Sequence, residues 1–152
     1  MGLRWHLPAE LSRITWFGAG PGEAYPDTRN AARIGRFHAT VDDLQTPYIQ
    51  PQENGNRADV RWAELADATG HGLRIQADTP YNLAARRWTD QHLAAATHQP
   101  DLVPDPLIYL HTDHAVQGIG TGACGPGVLP RYRLEVAPAH FAFTLSVLES
   151  NR

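Results

Sequence analysis

The clearest pattern along the chain is an alternation of apolar and polar residues with a period of two. Residues 131–137 alternate between apolar and mostly charged side chains, and residues 140–148 place their large apolar side chains on one face. This period is typical of half-buried β-strands. Because the connection around Pro138 is short, we predict that the two segments form a C-terminal hairpin.

Four further segments are predicted to be strands, at 14–17, 59–65, 72–77 and 107–110. The last of these is apolar throughout, which indicates a strand that is covered on both faces. In the second, Val60 and Trp62 share one face while Arg61 lies on the other. We therefore predict that Trp62 is anchored in the core.

Helical signals are few. Thr89 is a favourable N-cap for a short helix over residues 90–97, and residues 27–34 could form two helical turns that end at Gly35. The 13 glycines and 12 prolines are spread between the predicted strands rather than collected in one linker. The chain is thus predicted to be a single all-β domain over residues 1–152, an antiparallel β-sandwich with one or two short helices.

Composition and charge exclude several classes of function. All 13 basic residues are arginine, so the chain has neither the lysine of a Walker A loop nor a Schiff-base lysine. The net charge is −3 with no basic block, and no run of 18 apolar residues occurs, so we expect no nucleic-acid or membrane partner. A single cysteine, Cys124, allows no internal disulfide and favours a reducing, cytoplasmic location.

Two motifs could carry chemistry but favour structural roles. The glycines of 18–22 resemble a dinucleotide fingerprint, yet Glu23 stands where the third glycine belongs, so a structural turn is preferred. In the His111-Thr-Asp-His114 segment, His111 and Asp113 share a strand face while His114 points away. We interpret these histidines as solvated or hydrogen-bonded rather than as metal ligands.

Glycoside chemistry needs two carboxylates at a fixed separation. The candidates are Glu23, Asp27, Glu53 and Asp59, but no spacing brings two of them together. The alternative is a turn around Glu53 that is held by Asn and Asp side chains and an arginine–carboxylate pair.

The aromatic residues could form a platform on which a sugar stacks. The candidates are Trp16, Trp62, Trp88, Tyr25, Tyr48 and Tyr81. Trp16 and Trp62 lie on the predicted apolar faces of strands, so core packing is favoured for these two. Cys124 could act as a nucleophile, but nothing in the sequence pairs it with a histidine, and an ordinary loop cysteine is favoured.

Several motifs occur in a characteristic order. They are W-F-G-A-G-P-G-E-A-Y-P-D at 16–27, T-P-Y-I-Q-P-Q-E-N-G-N-R-A-D-V-R-W at 46–62, H-x-x-D-L at 98–102, G-I-G at 118–120, C-G-P at 124–126 and Y-R-L at 132–134. In this order they resemble the C-terminal domain of LacZ-type β-galactosidases, glycoside hydrolase family 2, over essentially the whole chain.

This resemblance implies a galactose-mutarotase-like sandwich, of which the chain would be the C-terminal part. It also implies that the catalytic glutamates lie upstream in a (β/α)₈ barrel, so no catalytic residue and no cofactor is expected in this chain. Parent enzymes of this type often use Mg and Na bound elsewhere. The resemblance implies as partners the barrel, the upstream half of the sandwich and a galactoside substrate. If that half is missing, we expect the chain to self-associate.

Residues 118–127 contain five glycines and are predicted to protrude as a loop. Some family members carry a sugar-binding tryptophan where this loop has Cys124, and the loop here is one residue shorter. The resemblance therefore implies that Cys124, Gly122 and Gly125 contact substrate at the edge of the parent active site.

The predicted function is that of a structural and active-site-completing domain of a retaining β-galactosidase, inactive by itself. The alternative is a carbohydrate-binding module that uses Trp88, Tyr81 or Tyr25 as stacking surfaces. A mutarotase-like enzyme is a third alternative, which would need a histidine–carboxylate pair.

Overall fold

The computed structural model describes residues 1–120 and 127–150. Within these residues it contains seven β-strands: β1 Gly2–Pro8, β2 Arg13–Gly20, β3 Arg33–Thr40, β4 Arg57–Ala66, β5 Gly72–Arg86, β6 Leu107–Asp113 and β7 Thr144–Leu148. It also contains one short α-helix, α1 Asp90–Ala95, and 3₁₀ turns at Arg29–Ala31, Asp42–Leu44, Gln99–Asp101 and Pro130–Tyr132.

All strand pairs are antiparallel, in the order β1-β6-β5-β4-β2-β3, with β7 added beside β5. The 15-residue β5 pairs with β7 through residues 72–76 and with β6 through residues 82–86. The first part of β5 therefore has β7 as its neighbour and the last part has β6. Side chains of β1 and β7 line the two sides of an apolar groove. The predicted all-β antiparallel architecture is confirmed.

The core lies between these two parts of the sheet. Its most buried members come from β2, β4, β5 and β6 and from the turn after β3, namely Ile14, Trp16, Val41, Leu44, Val60, Leu65, Ile75, Leu83, Ile108 and Leu110. Burial of each large apolar side chain contributes about 1.5–3 kcal/mol to folding. The β6 run of 107–110, which is predicted to be covered, is buried at Ile108, Tyr109 and Leu110.

The predicted core position of Trp62 is wrong. The register between β4 and β5 shifts between Val60 and Trp62, so the alternation of faces changes parity at this point. Beyond the shift, Ala63 and Leu65 face the core, while Trp62 lies on the opposite side and is only half-buried. A strict period of two does not anticipate this irregularity, because a one-residue slip moves every later side chain to the other face.

The predicted C-terminal hairpin is also wrong. Residues 130–132 form a 3₁₀ turn, no strand follows before 144, and β7 pairs with β5 instead. The side chains of Leu134 and Val136 are exposed at 38% and 106% of their reference areas. Alternation indicates that a segment can form a strand, but the segment also needs a free strand edge to pair with. Residues 72–76 of β5 provide such an edge, and β7 occupies it, so residues 131–137 have no strand beside them.

One helix prediction is confirmed and one is wrong. The Thr89 side chain accepts a hydrogen bond from the His92 N–H, which caps α1 as expected. The predicted helix over 27–34 is reduced to the single turn at 29–31. From Arg33 onward the chain is strand β3, and Gly35 pairs with Gly18 of β2 rather than ending a helix.

None of the helices in residues 1–120 and 127–150 is long and apolar enough to cross a membrane. Leu145 and Val147 of β7 are exposed at 49% and 80% beside Trp5 and Leu7 of β1. Self-association through such an apolar groove stays a prediction.

Candidate functional site

A cleft of about 490 Å³ lies over the face of β5 and β6 that carries Ala84, Arg86, His111 and Asp113. Its polar lining consists of Tyr25, Gln52, Glu53, Asn56, Arg86, Asp90, His111, Asp113 and Gln117, and its apolar lining includes Val116, Ile119, Val128 and Leu134. The cleft brings together residues from six separate segments of the chain, and the concentration of ionisable groups makes it the candidate site.

The centre of the cleft is an ion pair between Arg86, the last residue of β5, and Glu53. The two guanidinium nitrogens of Arg86 donate to the two carboxylate oxygens of Glu53 at 3.0 and 2.9 Å, and one also donates to the Asn54 carbonyl at 3.2 Å. Arg86 is 1% exposed, whereas the Glu53 side chain keeps half its area in solvent. Burial opposes the charge of Arg86, but the hydrogen bonds and charge of Glu53 outweigh it and raise the pKa of Arg86.

Tyr25 is a second hydrogen-bond donor to Glu53. Its hydroxyl donates to Glu53 Oε1 at 2.9 Å and accepts from the Asn56 N–H at 3.3 Å. Burial, followed by the charge of Glu53, raises the pKa of Tyr25 well above its usual value. Tyr25 is therefore a neutral, fixed hydrogen-bond donor in this site.

Asp90 and His111 form a second pair in the cleft. Asp90 Oδ1, at the start of α1, lies 3.5 Å from both Arg86 Nη1 and His111 Nε2. His111 Nε2 is buried and makes no hydrogen bond within the described part of the chain. Burial, together with the nearby charge of Arg86, lowers the pKa of His111, so its imidazole is neutral at pH 7.

Asp113 follows His111 on the same face of β6 and also lines the cleft. Burial raises the pKa of Asp113, and the carboxylates of Glu53 and Asp90 act in the same direction. The predicted sharing of a face by His111 and Asp113 is confirmed.

The glycine-rich segment begins and ends at this cleft. Before it, the Asp27 carboxylate accepts hydrogen bonds from the Ile119 N–H at 3.2 Å and the Gly120 N–H at 2.7 Å. After it, Val128 returns to the same place: a Cβ on Gly120 would lie 2.8 Å from the Val128 nitrogen. Gly120 has φ of +65°, a conformation that favours glycine. The two ends of the segment are therefore held side by side.

Comparison with known proteins identifies the family. The family model described as "Beta galactosidase small chain" matches residues 1–145. The chain belongs to the β-galactosidase small chain family. It is 40% identical over 140 residues to a β-galactosidase of Arthrobacter sp. (strain B7), 37% over 122 residues to β-galactosidase BgaC of Bifidobacterium adolescentis, and 33% over 148 residues to a β-galactosidase of Kluyveromyces lactis.

These alignments cover 88%, 78% and 96% of this chain, but only 14%, 12% and 14% of the relatives. The small-chain domain thus corresponds to about one-seventh of each of these β-galactosidases.

In the small-chain domain, all four candidate carboxylates are held by structural contacts. Glu23 accepts from the Gly55 N–H at 2.8 Å and from the Tyr48 hydroxyl. Burial, followed by this hydrogen bond, raises the pKa of Tyr48 to about 12. Asp59 pairs with Arg29. Glu53 is bound to Arg86 and Asp27 to residues 119–120. The expected arginine–carboxylate pair is therefore present at this turn, but its arginine comes from β5, because Arg57 of the turn donates to the Leu44 and Gly55 carbonyls instead.

Of the six candidate platform residues three are buried, and the other three, Trp62, Trp88 and Tyr48, are half-buried. Trp16, Tyr25 and Tyr81 are at most 2% exposed, and Trp88 packs against Leu93, Ala96 and Leu102. Arg74 and Arg36 lie over the Trp62 ring at 4.4 and 5.7 Å.

Of the two other motifs, the glycine-rich turn at 18–22 has a structural role, and the histidine motif at 111–114 reaches the cleft only through His111 and Asp113. A Cβ on Gly18 would lie 2.8 Å from Val60 Cα, so this glycine permits close packing of β2 on β4. His114 stacks on Phe141 with a centroid distance of 5.5 Å and does not line the cleft. Among the described residues, no three His, Cys, Asp or Glu side chains are arranged to hold a metal ion.

Sequence reasoning missed Arg86 and Asp90. A signal was present, because Arg86 directly follows the apolar run Leu83-Ala84-Ala85, and a charged residue that continues a buried strand requires a partner. Cys124, Gly122 and Gly125 lie outside the described residues, so their assignment stays a prediction.

Proposed function

We propose that the chain is the C-terminal, active-site-completing domain of a retaining β-galactosidase of glycoside hydrolase family 2. In this proposal the complete protein hydrolyses terminal β-D-galactosides in the cytoplasm. The partners of the chain are the catalytic barrel and the upstream half of the sandwich. The supporting facts are the family itself and the β-galactosidase relatives, of which this chain spans only a small part.

One observation carries the role of the domain. Both ends of the glycine-rich segment, at Gly118-Ile119 and at Val128, line the polar cleft. Loops that are held at both ends by a rigid scaffold commonly carry binding residues. In the proposal, Gly122, Cys124 and Gly125 contact the galactoside at the edge of the active site of the complete protein.

The carboxylates of the cleft support a role other than catalysis. A retaining glycosidase needs a nucleophile and an acid/base carboxyl about 5–5.5 Å apart, both free to react. Both oxygens of Glu53 are bound by Arg86, and Oε1 also accepts from Tyr25. Asp90 Oδ1 is shared between Arg86 and His111. We therefore expect the isolated chain to be inactive.

The alternative functions have less support. A carbohydrate-binding module needs open aromatic faces, but Tyr25 and Tyr81 are buried and guanidinium groups lie over Trp62. A mutarotase-like enzyme needs a histidine–carboxylate pair, and His111 with Asp90 is such a pair. However, Asp90 Oδ1 also lies 3.5 Å from the buried Arg86 guanidinium, and His111 Nε2 makes no hydrogen bond to Asp90.

The first test measures hydrolysis of a chromogenic β-galactoside by the purified 152-residue chain. We expect no hydrolysis above the buffer rate. Hydrolysis that a single Glu or Asp substitution in this chain abolishes would overturn the proposal.

The second test uses the complete encoded protein and follows alkylation of Cys124 by peptide mass spectrometry. A non-hydrolysable thiogalactoside at about ten times its Kd should slow alkylation about tenfold, because the bound state excludes the reagent. Glucose at the same concentration is the control. An alkylation rate that is indifferent to the thiogalactoside contradicts the proposed contact.

A further inference from the structure

Strand β3 lies at one edge of the sheet. Within residues 1–120 and 127–150 it pairs with β2 alone, through all eight of its residues. The backbone N–H and C=O groups that point away from β2 have no strand beside them, and an extended peptide can add to such an edge as a further strand. The register places Arg36 of β3 opposite Phe17 of β2, on the side of the sheet that faces away from the core, and Arg36 is exposed there.

Three guanidinium groups surround two aromatic rings on this side of the sheet. The rings of Phe17 and Trp62 stack with their centroids 6.4 Å apart. Arg61 lies 5.5 Å from the centroid of the Phe17 ring. Arg36 and Arg74 lie 5.7 and 4.4 Å from the centroid of the Trp62 ring. We call these three arginines the arginine cluster. Stacking on a ring orients a guanidinium group and leaves its N–H groups able to donate to a carboxylate.

The arginine cluster carries more positive charge than its neighbours neutralise. Glu64 pairs with Arg74. Arg61 donates to the backbone carbonyl of Asp59, whose carboxylate pairs with a different arginine. Arg36 makes no ion pair and no side-chain hydrogen bond within the part of the chain that the structure describes. The net charge of the whole chain is −3, so this excess of positive charge is local to the β3 side of the sheet. A guanidinium group binds a carboxylate in a bidentate manner, which favours an acidic partner.

We propose that β3 and the arginine cluster form a docking site for an acidic peptide, a segment of a separate protein that adds to the sheet beside β3. The period of two in the added strand places every second side chain on the side of the arginine cluster, so we expect aspartate or glutamate at alternate positions. These carboxylates meet Arg36 first, because Arg61 stacks on a ring of β2, the next strand along. None of these arginines lines the polar cleft, and the proposal does not depend on the proposed galactosidase function.

The experiment measures the binding of a fluorescein-labelled peptide of alternating glutamate and threonine, as long as β3, by fluorescence anisotropy. We expect saturable binding to the 152-residue chain. Arg36→Gln should raise Kd about tenfold, because it removes a hydrogen-bonding partner of opposite charge. Arg61→Gln should raise Kd about threefold, since it lies farther from the added strand. Arg4→Gln is the matched control, because it removes the same charge from the exposed strand β1 at the other edge of the sheet, and it should leave Kd unchanged.

Arg36→Lys separates the loss of charge from a general loss of folding. It keeps the charge without the bidentate geometry, so its Kd should lie between those of the unmodified chain and Arg36→Gln. Hydrogen exchange locates the added strand. On binding, amide exchange should slow in peptides from residues 33–40 and stay unchanged in peptides from residues 2–8.

Two control peptides separate strand pairing from charge alone. In one, glutamine replaces each glutamate; in the other, proline replaces threonine and removes N–H groups that strand pairing requires. Both should bind about tenfold more weakly than the parent peptide. Equal binding of the proline peptide, equal losses in Arg4→Gln and Arg36→Gln, or no binding of the parent peptide would overturn the proposal. The arginines would then protect the edge from pairing.

The same titration with the complete encoded protein tests whether the partner is a separate protein. We expect the complete protein to bind the parent peptide with a similar Kd and the same order among the variants. If the 152-residue chain binds the peptide and the complete protein does not, another part of the same protein covers β3, and the proposal of a separate partner is wrong.

Discussion

Trp16 and Trp62 occupy neighbouring positions on paired strands but have opposite environments. In the register of β2 and β4, Trp16 faces Ala63 and Trp62 faces Phe17, one residue apart. Trp16 is 1% exposed and donates its indole N–H to the Ala19 carbonyl at 3.0 Å. Trp62 is half-buried on the other side of the sheet, where Arg74 lies over its ring at 4.4 Å.

The arginines that lie over the two indole rings also differ in burial and in hydrogen-bond partners. On the side of Trp16, which we call the inner face, Arg57 lies 5.3 Å over the Trp16 ring, and burial lowers the pKa of Arg57 to about 10. Its Nη1 donates to the carbonyls of Leu44 and Gly55. On the outer face, Arg74 keeps a third of its side chain in solvent and pairs with Glu64.

The comparison teaches that the same pair of residue types serves two purposes. On the inner face the indole fills volume, and burial removes water from the Arg57 guanidinium, whose Nη1 is compensated by two carbonyls while its Nε has no hydrogen-bond partner among the described residues. On the outer face, the guanidinium and indole cover one another in partial contact with water, where such a contact contributes less.

The largest expected effect is the loss of Trp16. Trp16→Ala should lower the free energy of unfolding by about 3–5 kcal/mol, because it removes a fully buried aromatic side chain and leaves a cavity. Urea denaturation of the 152-residue chain measures this loss. A loss below about 1 kcal/mol would show that the inner face does not depend on this side chain.

A smaller effect is expected at alkaline pH, where a buried tyrosine of the inner face should make the free energy of unfolding depend on pH. Burial raises the pKa of Tyr81 on the inner face above its usual 10.0. The folded chain thus keeps a proton that the unfolded chain loses, so the stability that Tyr81 contributes is present below pH 10 and lost as the pH rises. Between about pH 9 and about pH 11 this loss amounts to about 1.4 kcal/mol.

In Tyr81→Phe the decrease in the free energy of unfolding that comes from Tyr81 ionisation should disappear. The variant also removes the hydroxyl that donates to the Ile75 carbonyl. Denaturation curves of both proteins at several pH values give the slopes, and the values at pH 7 correct for the lost hydrogen bond. Equal slopes for the two proteins would contradict the expectation.

The smallest effects belong to the outer face. Trp62→Ala should cost only about 1 kcal/mol, since the side chain is half-buried. A double-mutant cycle with Arg74→Ala should give a coupling of about 0.5–1 kcal/mol for the guanidinium–indole contact. The same cycle with Arg36, which lies farther from the ring at 5.7 Å, should give a smaller coupling. A larger coupling to Arg36 than to Arg74 would contradict this order.

Much of the fold was predictable where a segment shows its period and has an available partner. Strands β4, β6 and the first part of β5 follow the predicted segments, and the Thr89 cap of α1 depends on residues only three apart. The prediction of a hairpin at 131–148 was wrong because alternation does not show which strand a segment pairs with. The helix at 27–34 failed because β2 offers β3 an edge that outweighs a weak local helical preference.

The candidate site was predictable only in part. His111 and Asp113 share a face by the strand period, and Glu53 was expected in an arginine–carboxylate turn. The identity of that arginine could not be derived, since Arg86 is 33 residues away and reaches Glu53 through the pairing of β5 with β4 and β6.

The sequence by itself determined the all-β class, the capped helix, and, through its ordered motifs, the β-galactosidase relationship. Each of these depends on residues close together in the chain or on the order of motifs along it. The tertiary structure alone decided which tryptophan is buried, which arginine neutralises Glu53, and which carboxylate holds residues 119 and 120. These contacts depend on a register shift in β4 and on strand neighbours far apart in sequence, because energies of burial and ion pairing are set by the assembled sheet rather than by any local pattern.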